Sequence, residues 1–230
     1  GDVSDEQYNG GNATIKISGN SILRTGSIGG GGTGDSNGKI GSAIITVSGG
    51  DIQAQFVMAK GSEDAPKFDM TGGKIRNSNT ADDEYHHIKS YGGAVYMERG
   101  NFSMSGGSIE NCRAENGGAV YILGDSETEF SLSGGTIKNC VSENGGGAVY
   151  LAGGKVTVSE GAIEGNVARN GNGGGVSILN GNFLMQGGSI IKNSSYAING
   201  SGGKGGGVYV SSTGNVDVDL LSGIIIENTS

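Results

Sequence analysis

The chain has one proline, Pro66, no tryptophan, two cysteines and two histidines in 230 residues. With so little proline and no strict Gly-X-Y period, a collagen triple helix is excluded. No run approaches the ~20 apolar residues of a membrane-spanning helix; the longest candidates are Ala43 to Val47 and Gly223 to Ile226. Basic residues are outnumbered, 15 against 23 acidic, for a formal charge of −8, and they form no cluster. A protein that clamps a nucleic-acid backbone needs a basic face, so that class is set aside. The opening Gly1-Asp2-Val3-Ser4 has no signal-peptide pattern and reads as a trimmed or mature end. What the chain does have is glycine, 49 residues of it, set at fixed places rather than in linkers.

Laying the chain against itself shows why. Gly11 to Ile22 aligns without gaps on Gly41 to Ile52, and the pattern apolar-polar-apolar-x-x-Gly/Asn-x-Ile returns at Phe68 to Ile75, Phe102 to Ile109 and Phe130 to Ile137. Further copies are Val156 to Ile163, Phe183 to Ile190 and Val218 to Ile225, making eight. A second element precedes most copies: Gly92-Gly93-Ala94-Val95-Tyr96, Gly117-Gly118-Ala119-Val120-Tyr121 and Gly146-Gly147-Ala148-Val149-Tyr150, with variants at Gly173 to Ile178 and Gly205 to Val210. Three residues after the landmark isoleucine come Ser78, Cys112, Cys140, Asn166, Asn193 and Asn228. The alternation has period two, which means strands, and nothing in the chain has helical period. Gly-Gly pairs supply the sharp corners.

Three short strands per ~27-residue repeat, with glycine corners, predict a parallel β-helix in which equivalent strands stack ~4.8 Å apart. The expectation is one all-β domain over 1–230, of about eight coils, less regular over 1–75 and regular over 76–228. The stretch Ser27 to Gly41 is left as an unregistered Gly-rich loop. A single coil buries too little apolar surface to offset the entropy of ordering it, so stability must come from stacking.

The residues carrying the repeat resemble those of chlamydial polymorphic outer-membrane proteins and related bacterial surface β-helices, which pair GGA-I/L/V with F-x-x-N. The first motif stands here at Gly92 to Val95, Gly117 to Val120 and Gly146 to Val149. The second stands with isoleucine for phenylalanine at Ile163 to Asn166, Ile190 to Asn193 and Ile225 to Asn228, and with cysteine for asparagine at Ile109 to Cys112 and Ile137 to Cys140. The resemblance covers most of 90–228 and implies a right-handed, secreted or surface-displayed bacterial β-helix, often an adhesin or passenger region. The export barrel of such proteins has no counterpart in this sequence.

Cys112 and Cys140 occupy equivalent coil positions. In-register stacking would put their Cα atoms ~4.8 Å apart, within disulfide range, but their Cβ atoms wider than the bond prefers. Two buried thiols are expected, with a disulfide as the alternative. Asn166, Asn193 and Asn228 should form an internal amide ladder satisfying backbone groups at one corner. Tyr96, Tyr121, Tyr150 and Tyr209 take the outward place of the first strand, interrupted by Ser177. The stripe is either a platform for stacking sugars or a set of rings that simply stabilise exposed strands.

Metal sites find little support. Asp82-Asp83-Glu84-Tyr85-His86-His87 reads as a solvated loop, because adjacent histidines on an extended chain point apart. Asp125, Glu127 and Glu129 read as another acidic loop, and Asp217 and Asp219 alternate outward on the last strand, where weak Ca²⁺ binding is the alternative to plain solvation. No cofactor is expected. The scaffold is shared with pectin lyases and polygalacturonases, which need clustered carboxylates with a basic residue, or a carboxylate pair. The outward positions of the second strand are Lys16, Thr46, Asp69, Ser103, Ser131, Thr157, Leu184 and Asp219, with no carboxylates on neighbouring coils. Arg76, Glu110, Lys138 and Glu164 alternate in sign, as cross-strand pairs do; Arg113 and Arg169 are placed in loops. The expected function is therefore a non-catalytic, secreted or cell-surface module, adhesin-like or structural, taken from a longer chain. Its expected partners are glycans, host surface or matrix proteins and neighbouring domains, with neither nucleic acid nor membrane insertion. The rival reading is a polysaccharide lyase or glycoside hydrolase whose site lies in the loops.

Overall fold

A computed structural model describes residues 13–30, 43–58, 65–76, 89–197, 200 and 202–230. Among them there is no helix, and every strand pairing is parallel, in one sheet of 15 strands and a second of five. This is an all-β arrangement consistent with a parallel β-helix. The repeats stack by equivalent positions. Lys16, Thr46, Asp69, Ser103, Ser131, Thr157, Leu184 and Asp219 are successive partners in one row. The positions on either side of that row turn inward and are buried through its middle: Phe68, Phe102, Phe130, Val156 and Phe183 on one side, Met70, Met104, Leu132, Val158 and Met185 on the other. The period-two alternation thus separates a dry column from a wet one. Phe68 and Phe102 stack with centroids 4.5 Å apart, and Phe102 and Phe130 at 4.8 Å, the spacing of the strands themselves.

The corners keep the hydrogen-bond ladder going. Gly117 and Gly118 donate to the carbonyls of Gly145 and Gly146, each at 3.0 Å. At Gly117 φ is +63°, which favours glycine. A Cβ on Gly118 would lie 2.1 Å from the Gly147 carbonyl oxygen, so the Gly-Gly pair is needed twice, once for torsion and once for space.

Several expectations need correction. The gapless alignment of Ile22 with Ile52 is wrong by one residue: Leu23 pairs with Ile52, and Ile22 with Asp51. A turn at Gly19 and Asn20, closed by the Ser21 hydroxyl on the Ser18 carbonyl at 2.6 Å, takes one more residue than the corner it stacks on. Ile22 therefore points outward and is 72% exposed. Part of the unregistered stretch is a strand, since Ser27 to Gly30 pair with Gln55 to Met58. The sequence Ala43–Met58 runs as a single strand through a position where later repeats break at Gly-Gly, and this continuity joins the first and second strand columns into one sheet. Landmark isoleucines share that sheet, and the residues beyond the Cys/Asn position form the separate five-stranded one. Arg113 is accordingly in a strand, Arg113–Asn116, rather than a loop, whereas Arg169 lies at a bend just past Val167–Ala168. Glu129 likewise opens the strand Glu129–Lys138 rather than sitting in an acidic loop.

Candidate functional site

The outward place of the first strand column holds Tyr96, Tyr121 and Tyr150 in register, followed by Ser177 and Tyr209. The rings do not lie side by side with their faces open. Tyr121 and Tyr150 are stacked at 5.2 Å with planes 8° apart, and Tyr96 and Tyr121 at 5.8 Å and 23°. A fourth ring, Tyr91, sits 4.6 Å from Tyr121 and 6.0 Å from Tyr96. Strand stacking runs along the ring normals, so the facing sides of Tyr96, Tyr121 and Tyr150 cover one another, while the rows beyond them hold Val57 and Ser177. Tyr121 at the centre is only 7% exposed. Burial and the neighbouring Tyr150 and Tyr91 rings push its phenol up to about 12. Tyr96 is raised further, by burial and by donating its hydroxyl to Glu98 Oε1 at 2.7 Å. These are properties of a packed stack, the second of the two readings of the stripe. Tyr209, two rows beyond Tyr150 across Ser177, has no partner in register to stack on.

Tyr91 escaped the sequence reading for a physical reason. It precedes the Gly-Gly corner, a place taken by Asn116, Gly145 and Asn172 in the following repeats, so no recurrence flags it. Gln55 holds it from behind, donating Nε2 to the Tyr91 and Gly92 carbonyls at 2.7 and 2.6 Å. At the far end of the same strands opens a cleft of about 280 Å³ lined by Glu98, Arg99, Leu123, Gly124 and Asp125. Asp125 shapes its rim by accepting the Glu127 backbone N–H at 3.0 Å, and Leu123 lies 49% exposed beside it. The cleft combines two carboxylates, a guanidinium and an aliphatic surface. That mixture suits a small amphipathic ligand, and the volume lies just below the ~300–1,000 Å³ common for ligand sites.

The asparagine corner is a hydrogen-bonded ladder. Asn193 Oδ1 accepts from both the backbone and the side-chain nitrogen of Asn166 at 2.9 Å, and Asn228 Oδ1 does the same for Asn193 at 2.9 and 3.0 Å. Each carboxamide nitrogen in turn donates to the landmark carbonyl one coil back: Asn166 to Ile137, Asn193 to Ile163, Asn228 to Ile190. Cys140 and Cys112 continue the column as buried thiols, the Cys112 sulfur donating to the Glu110 carbonyl at 3.5 Å. Cys140 receives the last amide oxygen, its backbone N–H donating to Asn166 Oδ1 at 2.9 Å. Its sulfur lies 4.0 Å from the Ile109 carbonyl, the place the asparagine amide would fill.

Charged side chains pair across the rows. Glu110 is held by Lys74 at 2.8 Å and Lys138 at 3.4 Å. Burial alone would raise its pKa, but the two ammonium groups more than offset this and leave it lowered. The alternation expected from Arg76 differs in detail, because Arg76 turns back to bind Asp51 through Nε and Nη2. Glu129 joins Lys155 and accepts the Thr157 hydroxyl at 2.9 Å, and Glu143 is gripped between Arg113 and Arg169. Among the described residues no cluster of three or more metal-type ligands exists. The Asp82 to His87 segment and Ser78 lie outside the described residues. Asp217 and Asp219 are exposed, as alternation requires. No family model, curated protein or solved structure matches the chain.

Proposed function

We propose that this chain is a right-handed parallel β-helix of about eight coils that works as a non-catalytic module of a bacterial cell surface or secreted protein. It would bind glycans or host surface and matrix proteins through the loop ends of its first strand column. The observation that carries this reading is the cleft of Glu98, Arg99, Leu123 and Asp125, set directly beyond the Tyr96 hydroxyl and the buttressing stack of Tyr91, Tyr121 and Tyr150. A rigid stack under a small mixed-polarity cleft is a means of presenting contacts at fixed spacing. The charged rows support the non-catalytic part, because Glu110, Glu129 and Glu143 are each bound to cations and committed to cross-strand pairing.

An array of glycans and matrix proteins tests the reading. The chain should bind at least one class, and Leu123→Asp should abolish that signal while Tyr121→Ala paired with Tyr150→Ala weakens it. Absence of binding overturns it. Release of reducing sugars or unsaturated ends from acidic polysaccharides would put a lyase or hydrolase in its place.

A further inference from the structure

We propose that copies of this chain associate head to tail, the strand Val216–Ile226 of one copy receiving Ala13–Ile17 and residues 22–24 of the next as a further parallel row. The first observation is what stands in one outward row. Its members are Ile22, Asp51, Lys74, Ser108, Thr136, Ala162, Ser189 and Ile224. Through the middle of the chain this place is polar or small. Only the two outermost members are isoleucine, 72% and 52% exposed. They point away from the interior, so the chain's own core gains nothing from either. Stacked end to end they become neighbours and cover each other.

The second observation is charge. In the adjacent outward row the outermost members are Lys16 and Asp219, both exposed. Continuing the register sets this lysine of one copy directly opposite the aspartate of another, as Lys138 meets Glu110 within the chain.

The inward columns fit as well. Val218 would meet Ile15 and Ile225 would meet Leu23; within one copy Val218, Ile15 and Leu23 are only partly buried against the core, and Ile225 is exposed. Among the described residues, the outer edges of Val216–Ile226 and of the first two strands carry no pairing strand. Such edges recruit further chains in parallel. The contact is heterologous, one surface against a different one, and generates open linear assemblies rather than a closed pair.

Sedimentation equilibrium of the purified full chain decides the matter. The mass should climb with concentration from the 23.0 kDa monomer through successive multiples. Ile22→Thr with Ile224→Thr should weaken association roughly tenfold. Asp219→Lys alone should weaken it by a similar factor, and adding Lys16→Asp should restore it. All four positions are exposed, so unchanged thermal unfolding can verify that each variant is folded. A chain that stays monomeric at every concentration, a closed dimer insensitive to the isoleucine changes, or a charge reversal that the second reversal does not rescue would each overturn the proposal.

Discussion

Asn193 and Asn166 are joined twice through one oxygen: Asn193 Oδ1 accepts the Asn166 backbone N–H and its Nδ2, each at 2.9 Å. The same oxygen thus ties the main chain and the side chain of the preceding coil at a corner where no strand runs. Asn193→Ala leaves the buried Asn166 backbone N–H without its acceptor and takes one bond each from Asn166 Nδ2, which still donates to the Ile137 carbonyl, and from the Ile163 carbonyl. The expected loss is about 3 kcal/mol or more in urea unfolding. Asparagine at position 140, in contrast, would extend the ladder, offering an amide to the Ile109 carbonyl and an oxygen to the Cys112 backbone. Cys140→Asn should raise stability by about 1 kcal/mol.

Ser142 and Ser195 are buried, and their hydroxyls have no hydrogen-bond partner. Ala168 lies between them in register and Ala114 occupies the row before Ser142. Alanine therefore fits this column already. Ser142→Ala should stabilise the protein by about 1 kcal/mol, since it removes a desolvated polar group and leaves no cavity larger than one oxygen. A loss of stability in thermal unfolding would contradict this.

The residue before each corner asparagine or cysteine has positive φ: Asn111, Asn139, Gly165, Lys192 and Glu227 all lie between 55° and 65°. Glycine and asparagine tolerate that region, whereas lysine and glutamate do not. Lys192→Gly should gain about 1 kcal/mol, even with loss of the long, exposed 3.7 Å pair to Glu164. Chemical denaturation of the single variant measures the sign.

At the Gly-Gly corner the direction reverses. Gly118→Ala would drive a methyl into the Gly147 carbonyl, whose place the ladder bonds hold. A loss above about 4 kcal/mol, or failure to fold, is expected. Gly29→Ala is the control, since the nearest atom would stand 3.9 Å away.

The tyrosine stack makes a pH prediction. Burial and the adjoining rings lift the Tyr121 phenol from 10.0 to about 12. An acid whose folded pKa is raised contributes stability that is intact below its unfolded value and disappears as pH climbs through the folded one. Stability should therefore hold up to about pH 10 and fall toward pH 12, with phenolate absorbance rising together with unfolding. Early, independent ionisation of all eight tyrosines would show that the rings are not packed.

Period-two alternation and the recurrence of Gly-Gly, phenylalanine and isoleucine were enough to specify parallel stacking, the inward columns and the asparagine ladder. These features repeat, and a repeated side chain in a stacked row meets its own counterpart, so local pattern and tertiary contact carry the same information. The tertiary structure alone decided whatever occurs once. It turned Ile22 outward through an extra residue in one corner, brought Tyr91 over Tyr121 from a place with no aromatic precedent, and diverted Arg76 from Glu110 to Asp51. It also gathered Glu98, Arg99, Leu123 and Asp125 around a cleft. Each depends on how a variable loop or corner sets one row against the next, a displacement of a few ångströms that no periodicity within the chain encodes.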